Sequence, residues 1–231
     1  MIPLLFAAAL AAAPAADCPT GQPADIAICK ALAAQAEHDP AAAAAQFDAA
    51  AAALPATDPK AARAYAAAGN MWIAANEPGK AAFSLDRALA GTGLQAEQRG
   101  EALLDRARAA ESQNDLTTAR AKVNEAAETV SDDPFLWYFS AALAIREGDK
   151  ATAQSAIARA LNIAPNEPLL LFEAGHVAQF AGDDAKARSY WTQADRFDTN
   201  GPIGKAAREA IALLGPAPAE KDAAPPAIAH R

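Results

Sequence analysis

Histidine side chains transfer protons and bind metal ions near neutral pH, and this chain has three of them. His38, His176 and His230 are widely separated along the sequence, and only two cysteines accompany them. Transition-metal sites need several such ligands close together, so no metal or other cofactor is predicted. The sequence also has no phosphate-binding P-loop, no glycine-rich dinucleotide fingerprint, no H-E-x-x-H motif and no G-x-S-x-G motif. These observations predict a protein that is not an enzyme.

Two pairs of adjacent carboxylates, Asp132-Asp133 and Asp183-Asp184, have the residue types for acid–base chemistry or calcium binding. No glycine-centred calcium loop surrounds either pair. An aspartate in front of a helix accepts hydrogen bonds from the free N–H groups of the first turn. We therefore interpret both pairs as turn and helix-capping residues.

The two cysteines, Cys18 and Cys29, are 11 residues apart and do not form a C-x-x-C redox motif. In an oxidising compartment a disulfide between them would persist. Our hypothesis is that this bond ties the N-terminal segment to the first helix; the alternative is a pair of free thiols.

The elements that must position any site are predicted to be helices. Alanine supplies 71 of the 231 residues, and aromatic residues make up only 6%. Alanine is the best helix former, whereas strands need β-branched and aromatic residues. A β-sandwich or a large α/β enzyme is therefore disfavoured. The net charge of −8 argues against binding to a nucleic-acid backbone.

The N-terminus has the pattern of an export signal. Residues 2–16 are uncharged and almost all apolar, and they end in the small residues Ala13-Pro14-Ala15-Ala16. A run of 15 residues is shorter than the roughly 17–25 that a membrane-spanning helix needs. Residues 1–16 are therefore predicted to be a cleaved signal peptide and residues 17–23 a leader, which places the protein in the periplasm or outside the cell. The alternative is a buried N-terminal helix, and no later stretch is predicted to span a membrane.

A repeat runs through the middle of the chain. Five acidic residues in turn-like clusters are spaced by 38, 38, 34 and 34 residues, namely Asp39, Glu77, Asp115, Asp149 and Asp183. Four, eight and eleven residues after each of them come an alanine, a large apolar residue and another alanine. Spacings of four and three keep these three positions on one helical face. A small residue lies eight positions before each acidic residue, so each unit also contains an earlier helix.

This pattern resembles the tetratricopeptide repeat (TPR) family, most clearly in WYFSAALAIREGDKATAQSAIARALNIAP and LLFEAGHVAQFAGDDAKARSYWTQADRFD. The resemblance implies an all-α fold, a right-handed α-solenoid of about five helix–turn–helix repeats over residues 24–201. Residues 202–214 are predicted to form a capping helix, with Ile203, Ala207, Leu213 and Leu214 among those facing the array. Residues 215–231, rich in proline, alanine and charge, are predicted to be a disordered tail.

The resemblance also implies a binding surface, because the first helix of each TPR unit lines a concave groove that receives an extended or helical peptide segment. Carried onto this sequence, the groove residues are Arg63, Asn70, Ile73, Leu104, Arg108, Tyr138, Arg146, Phe172, His176 and Phe180. Arg108, Arg146 and His176 would fix a polar or acidic partner segment. A lysine expected near Asn70 in binders of chaperone tails is Ala66 here, so clamping of a terminal carboxylate is not predicted.

Part of this surface follows from spacing alone. Leu104, Tyr138 and Phe172 are 34 residues apart and should stack along one side of the array. Each follows the packed position of its helix by one residue, a rotation of about 100°. Two interpretations remain open: these residues bind a partner, or they only pack against neighbouring repeats.

The sequence thus favours a non-catalytic scaffold for protein or peptide partners. One alternative is an accessory factor in cell-envelope, outer-membrane or secretion-complex assembly. A second is a small hydrolase or regulatory domain, which would need titratable groups converging on a pocket. A third is self-association through the alanine-rich first unit. Neither the partner nor the oligomeric state follows from the residues.

Overall fold

The computed structural model describes Cys18 and residues 20–215, and within this part of the chain it contains eleven α-helices and no strand. The helices are α1 (Pro23–Ala36), α2 (Pro40–Ala52), α3 (Pro59–Ala74), α4 (Pro78–Ala90), α5 (Ala96–Ser112), α6 (Leu116–Ala126), α7 (Pro134–Glu147), α8 (Lys150–Ile163), α9 (Pro168–Ala181), α10 (Asp184–Phe197) and α11 (Pro202–Leu213). The predicted signal peptide, residues 1–16, and residues 216–231 of the predicted tail lie outside the described residues.

The helices form two compact units, one with α1–α6 and one with α7–α11, divided between residues 129 and 130. In the first unit α1 packs on α2, α3 on α4 and α5 on α6. In the second unit α7 packs on α8 and α9 on α10, and α11 covers α10 and α9. The predicted fold class, an all-α protein of helix–turn–helix repeats, is confirmed.

The acidic residue of each repeat begins the second helix. The side chains of Asp39, Asp115, Asp149 and Asp183 each accept a hydrogen bond of 2.9–3.0 Å from a backbone N–H three residues later. Glu77 occupies the same position without a capping bond and instead pairs with Lys80 at 3.4 Å. Asp133 caps α7 through the N–H of Phe135. The described structure therefore gives a helix-capping role to one member of each acidic pair.

The turn between the two helices of a repeat has one conserved shape within this chain. The residue before each acidic residue has a positive φ of 57–92°, and these residues are His38, Asn76, Asn114, Gly148 and Gly182. The N–H of the following acidic residue donates to the carbonyl five residues earlier, at 2.9 Å in every repeat. This is the left-handed ending that satisfies the last carbonyls of a helix.

Replacing Gly182 with alanine should lower the free energy of unfolding by about 1 kcal/mol, because a Cβ disfavours the left-handed region. A Cβ at this position would meet no atom within 4 Å, so the loss isolates the backbone effect. The reciprocal change His38→Gly should raise the free energy of unfolding, and urea unfolding measures both. Equal stability of Gly182→Ala and wild type would contradict this account of the turn.

The predicted small and large positions form the cores. The alanines four and eleven residues after each acidic residue are fully buried in all five repeats. Four of the large residues between them are almost fully buried and the fifth, Phe47, is 9% exposed. Because alanine has a single methyl group, the two helices of a repeat approach closely and the large side chain fills the remaining space.

Glycine replaces alanine in the preceding helix of the second and fifth repeats, where a Cβ would collide with the large residue. A Cβ on Gly69 would lie 2.3 Å from Leu85 Cγ, and a Cβ on Gly175 would lie 2.1 Å from Trp191 Nε1. Because Gly175 has no Cβ, the indole of Trp191 lies against the backbone of α9. Its Nε1 donates a hydrogen bond to the carbonyl of Phe172 at 3.0 Å.

The helix α11 covers the end of the second unit, but one predicted contact is wrong. Ala207 is buried, and Ile203, Ile211 and Leu214 pack on the core that contains Trp191. Leu213 is 88% exposed. At about 100° per residue, Leu213 lies roughly 80° outside the arc defined by Ile203, Ala207 and Leu214, whereas Ile211 lies only about 40° from it on the other side.

A disulfide joins Cys18 to Cys29 in α1, with the two Cα atoms 5.6 Å apart. Cys18 precedes the first helix, so the bond fixes the chain entering α1.

Replacing both cysteines with serine should lower the free energy of unfolding by about 3 kcal/mol, because the unfolded chain regains the freedom of the closed loop. Urea unfolding with and without reductant measures this effect, and reductant should not change the double variant. Thiol titration of the denatured, unreduced protein should find no reactive thiol; two reactive thiols would contradict the bond.

Candidate functional site

The helices α7 and α9 of the second unit pack side by side and form an open pocket of about 410 Å³. Residues three, four or seven positions apart lie on the same side of a helix, so each helix supplies several side chains to the pocket. Its lining residues are Ala142, Ile145 and Arg146 from α7 and Glu173, His176, Gln179 and Phe180 from α9.

One wall of the pocket is apolar. Ile145 and Phe180 are half-buried and pack on the core between α7, α8 and α9. The ammonium group of Lys150, at the start of α8, lies 5.5 Å from the centroid of the Phe180 ring. This cation–π contact covers one part of the ring and leaves the rest at the pocket. The wall can therefore hold an aliphatic stem.

Glu173 is the buried charged residue of the pocket and was not predicted from the sequence. It is 8% exposed, and its carboxyl group has no hydrogen bond or ion pair with any described residue. Burial raises the pKa of this carboxyl group to about 7, because the charged form loses its hydration. Glu173 is therefore a carboxyl group that titrates near neutral pH beside an open cavity.

His176 lies one turn further along α9 and is held by aromatic rings. Its ring centroid is 4.6 Å from that of Phe172 and 5.4 Å from that of Trp191, in edge-to-face arrangements. Burial lowers the pKa of the His176 imidazole, which favours the neutral ring. His176 thus presents an uncharged ring to the pocket rather than a cation. Arg146 and Gln179 are exposed and form its polar rim.

In the first unit the predicted residues Asn70 and Arg108 meet at a third side chain. Asn70 Nδ2 donates to Asp105 Oδ2 at 2.8 Å, and Arg108 Nη1 lies 3.5 Å from Asp105 Oδ1. Burial raises the pKa of Asp105, although the hydrogen bonds from Asn70 and Arg108 oppose that rise. These contacts link α3 to α5 and were not predicted, because Asp105 lies in a helix with many other charged residues.

The other predicted groove residues differ in exposure. Arg63 is exposed on α3, and Ile73 packs on the core of the first unit. Leu104 is half-buried. In the second unit Tyr138 packs on the core around α7 and α9, and Phe172 packs on the core around Trp191. Three predicted residues, Arg146, His176 and Phe180, therefore line the pocket, whereas Tyr138 and Phe172 contact the cores beside it.

Two further observations concern the described residues alone. They contain no cluster of three or more histidine, cysteine, aspartate or glutamate side chains arranged to hold a metal ion. None of their helices is both long and apolar enough to cross a bilayer.

Several solved structures have a similar fold, whereas no family model and no curated protein matches the chain. PilW, a widely conserved type IV pilus biogenesis factor, matches with a TM-score of 0.69 and 16% identity, covering 81% of this chain and 83% of PilW. A tetratricopeptide repeat protein from Parabacteroides merdae matches with a TM-score of 0.68 and 15% identity, covering 84% of this chain and 74% of that protein. YrrB, a TPR protein with an unusual peptide-binding site, matches with a TM-score of 0.59 and 18% identity, covering 80% of this chain and 91% of YrrB. The predicted resemblance is confirmed at the level of the fold.

Proposed function

We propose that this chain, which has the tetratricopeptide-repeat fold, is a non-catalytic protein–protein interaction scaffold that binds a segment of a partner protein. The observation that carries the proposal is the α7–α9 pocket, with an apolar wall, a buried carboxyl group and a polar rim. Aromatic and arginine side chains around a partly buried pocket are typical anchors of protein interfaces. YrrB, which has a similar fold, has a peptide-binding site.

The residues of the pocket support binding rather than covalent chemistry. Its seven lining residues include no serine, threonine, cysteine or lysine, the usual nucleophiles for acyl transfer. Glu173 and His176 have perturbed pKa values, but burial alone accounts for both shifts. Burial perturbs the pKa of structural and binding residues as well as that of catalytic ones.

Selection of random displayed peptides against the immobilised chain tests the proposal. We expect enriched peptides whose affinity falls at least about tenfold for Phe180→Ala, which removes the aromatic wall of the pocket. The matched control is Phe83→Ala, because Phe83 is an exposed phenylalanine of the first unit and is not among the residues that line the pocket. Far-UV circular dichroism checks that both variants fold. Failure to enrich any peptide, or equal binding by wild type and Phe180→Ala, overturns the proposal in favour of residues that only pack.

A second candidate function is an accessory role in cell-envelope, outer-membrane or secretion-complex assembly, in the periplasm or outside the cell. The disulfide between Cys18 and Cys29 supports an oxidising compartment, and PilW, which has a similar fold, is a pilus biogenesis factor. An assembly factor should co-purify with a membrane complex from the native envelope, and Phe180→Ala should reduce the yield of that complex. Recovery of the chain alone, or with soluble proteins only, argues against this role.

A further inference from the structure

We infer that the α7–α9 pocket receives a positively charged side chain of the partner segment, a lysine or an arginine, whose head pairs with the carboxylate of Glu173. This inference rests on the proposed function and specifies the chemistry of the partner. It differs from the polar or acidic segment that Arg108, Arg146 and His176 predict from the sequence.

Glu173 is the acidic side chain that lines the pocket. No buried side-chain nitrogen or oxygen atom of the described residues lacks a hydrogen-bond partner, so the carboxyl oxygens of Glu173, which have no protein partner, reach the solvent of the pocket. Glu173 is 8% exposed and has no partner among the described residues. The chain keeps this carboxyl group beside a cavity that is large enough for a side chain. A ligand with hydrogen-bond donors can replace that solvent and pair with the carboxylate directly.

Asp48, a carboxylate that stabilises the fold, has different surroundings from Glu173. Asp48 accepts a hydrogen bond from Trp72 Nε1 and another from Ser84 Oγ, both at 2.7 Å. Both donors come from the same compact unit and are themselves buried. Where this protein uses an acidic residue to stabilise packing, it therefore provides internal donors. Glu173 lacks such donors, which points to a partner from outside.

The residues around Glu173 have the shape and charge to receive a lysine or arginine side chain. Ala142, Ile145 and Phe180 offer an apolar wall for the methylene stem of a lysine or arginine. Gln179 adds an amide oxygen that can accept a hydrogen bond from the same head. Arg146 has the same charge as the incoming side chain and would repel it. Its guanidinium lies at the exposed rim, however, where water screens this repulsion. Attraction to the buried carboxylate is screened much less.

The pKa of Glu173 agrees with this assignment. At about 7 it leaves the group partly ionised at neutral pH, so a cation can select the ionised form. His176 is the other titratable residue that α9 contributes to the pocket. Because its ring is neutral, it does not repel an incoming cation.

The test uses peptides enriched against the full chain in the selection described above. We expect them to share a lysine or arginine at one position, and its replacement by glutamine to weaken binding to wild type about tenfold or more. Glu173→Gln should weaken binding of the original peptide by a similar factor. For the glutamine peptide, wild type and Glu173→Gln should bind about equally, which identifies the two groups as direct partners. Glu209→Gln is the matched control, since it removes an exposed charge from the same unit and should leave affinity unchanged.

Two results separate this inference from the proposed function. Peptides that need Phe180 but no cation, or that bind wild type and Glu173→Gln equally, overturn the inference and leave the scaffold function standing. Failure to enrich any peptide that depends on Phe180 overturns the proposed function, and the inference with it.

Discussion

Gly175→Ala should lower the free energy of unfolding by about 3 kcal/mol, at the upper end of the usual cost of overpacking a core. The added Cβ would lie 2.1 Å from Trp191 Nε1 and 2.3 Å from its Cδ1. Trp191 is 1% exposed, so its ring has no free space into which to move. Moving the ring also breaks the hydrogen bond from Trp191 Nε1 to the carbonyl of Phe172. Urea unfolding followed by far-UV circular dichroism measures the loss.

The control is Gly79→Ala, because a Cβ on Gly79, in the first turn of α4, meets no atom within 4 Å. Alanine is a better helix former than glycine, so this variant should be as stable as wild type or slightly more stable. Wild-type stability of Gly175→Ala would show that α9 and α10 separate without cost, contrary to the close packing described here.

A compensating change tests whether the two positions are matched in size. In the preceding repeat the corresponding residues are Ala141 and Ile157, both buried. Introducing this pair through Gly175→Ala and Trp191→Ile should cost less than the sum of the two single changes, by at least about 1 kcal/mol. Strict additivity would contradict a direct steric contact between the two side chains.

The sequence predicted most of the helical core because the core depends on a regular spacing. The small and large positions recur relative to each acidic residue, and helical geometry places them on one face without knowledge of the tertiary structure. The finer fit was not predictable in this way. Gly69 and Gly175 were recognised as small residues, but only the packed helices show that they make room for Leu85 and Trp191.

Two large residues of the first helices of their repeats, Tyr65 and Trp137, are only half-buried, and their polar atoms explain why. Tyr65 accepts a hydrogen bond from Arg87 Nη1 through its hydroxyl group at 2.7 Å. Trp137 donates from Nε1 to the carbonyl of Ser131 at 2.8 Å, with the guanidinium of Arg159 4.5 Å from its ring centroid. Periodicity identifies the face on which a side chain lies, but not how deeply its polar end is covered.

The candidate site was predicted only in part, because burial of a single charge depends on the neighbouring helix. Arg146, His176 and Phe180 follow from the resemblance, and the pocket includes all three. Glu173 was missed although it is the only acidic or basic residue in α9 other than His176. A lone charge in an otherwise uncharged helix is a usable signal, and it points to a residue that the fold keeps for a purpose other than solubility. Asp105 gives no such signal, since acidic and basic residues surround it in α5.

Glu173→Gln should raise the free energy of unfolding by about 3 kcal/mol at about pH 8 and have little effect near pH 4. In the folded protein the pKa of this carboxyl group is about 7, against 4.5 for the free side chain. Between these values the folded state keeps a proton that the unfolded state has lost. Wild-type stability therefore falls as the pH rises from 4.5 to about 7, and the full loss persists above that range. Glutamine is uncharged at every pH and resembles the protonated acid, so the variant escapes this loss.

Urea unfolding of wild type and Glu173→Gln across this pH range isolates the contribution of Glu173. His176 acts in the opposite direction, because its lowered pKa makes stability rise with pH up to the ordinary histidine pKa of 6.5. Since both proteins contain His176, its contribution cancels in the difference between them. Glu209→Gln removes a charge from an exposed position and should show no comparable dependence on pH. A difference that stays constant with pH would mean that Glu173 has the same pKa in the folded and the unfolded protein, because a donor or water already stabilises its carboxylate. A difference that grows toward alkaline pH, and shrinks when a lysine-containing peptide saturates wild type, would tie the unpaired carboxylate to the binding of a cation.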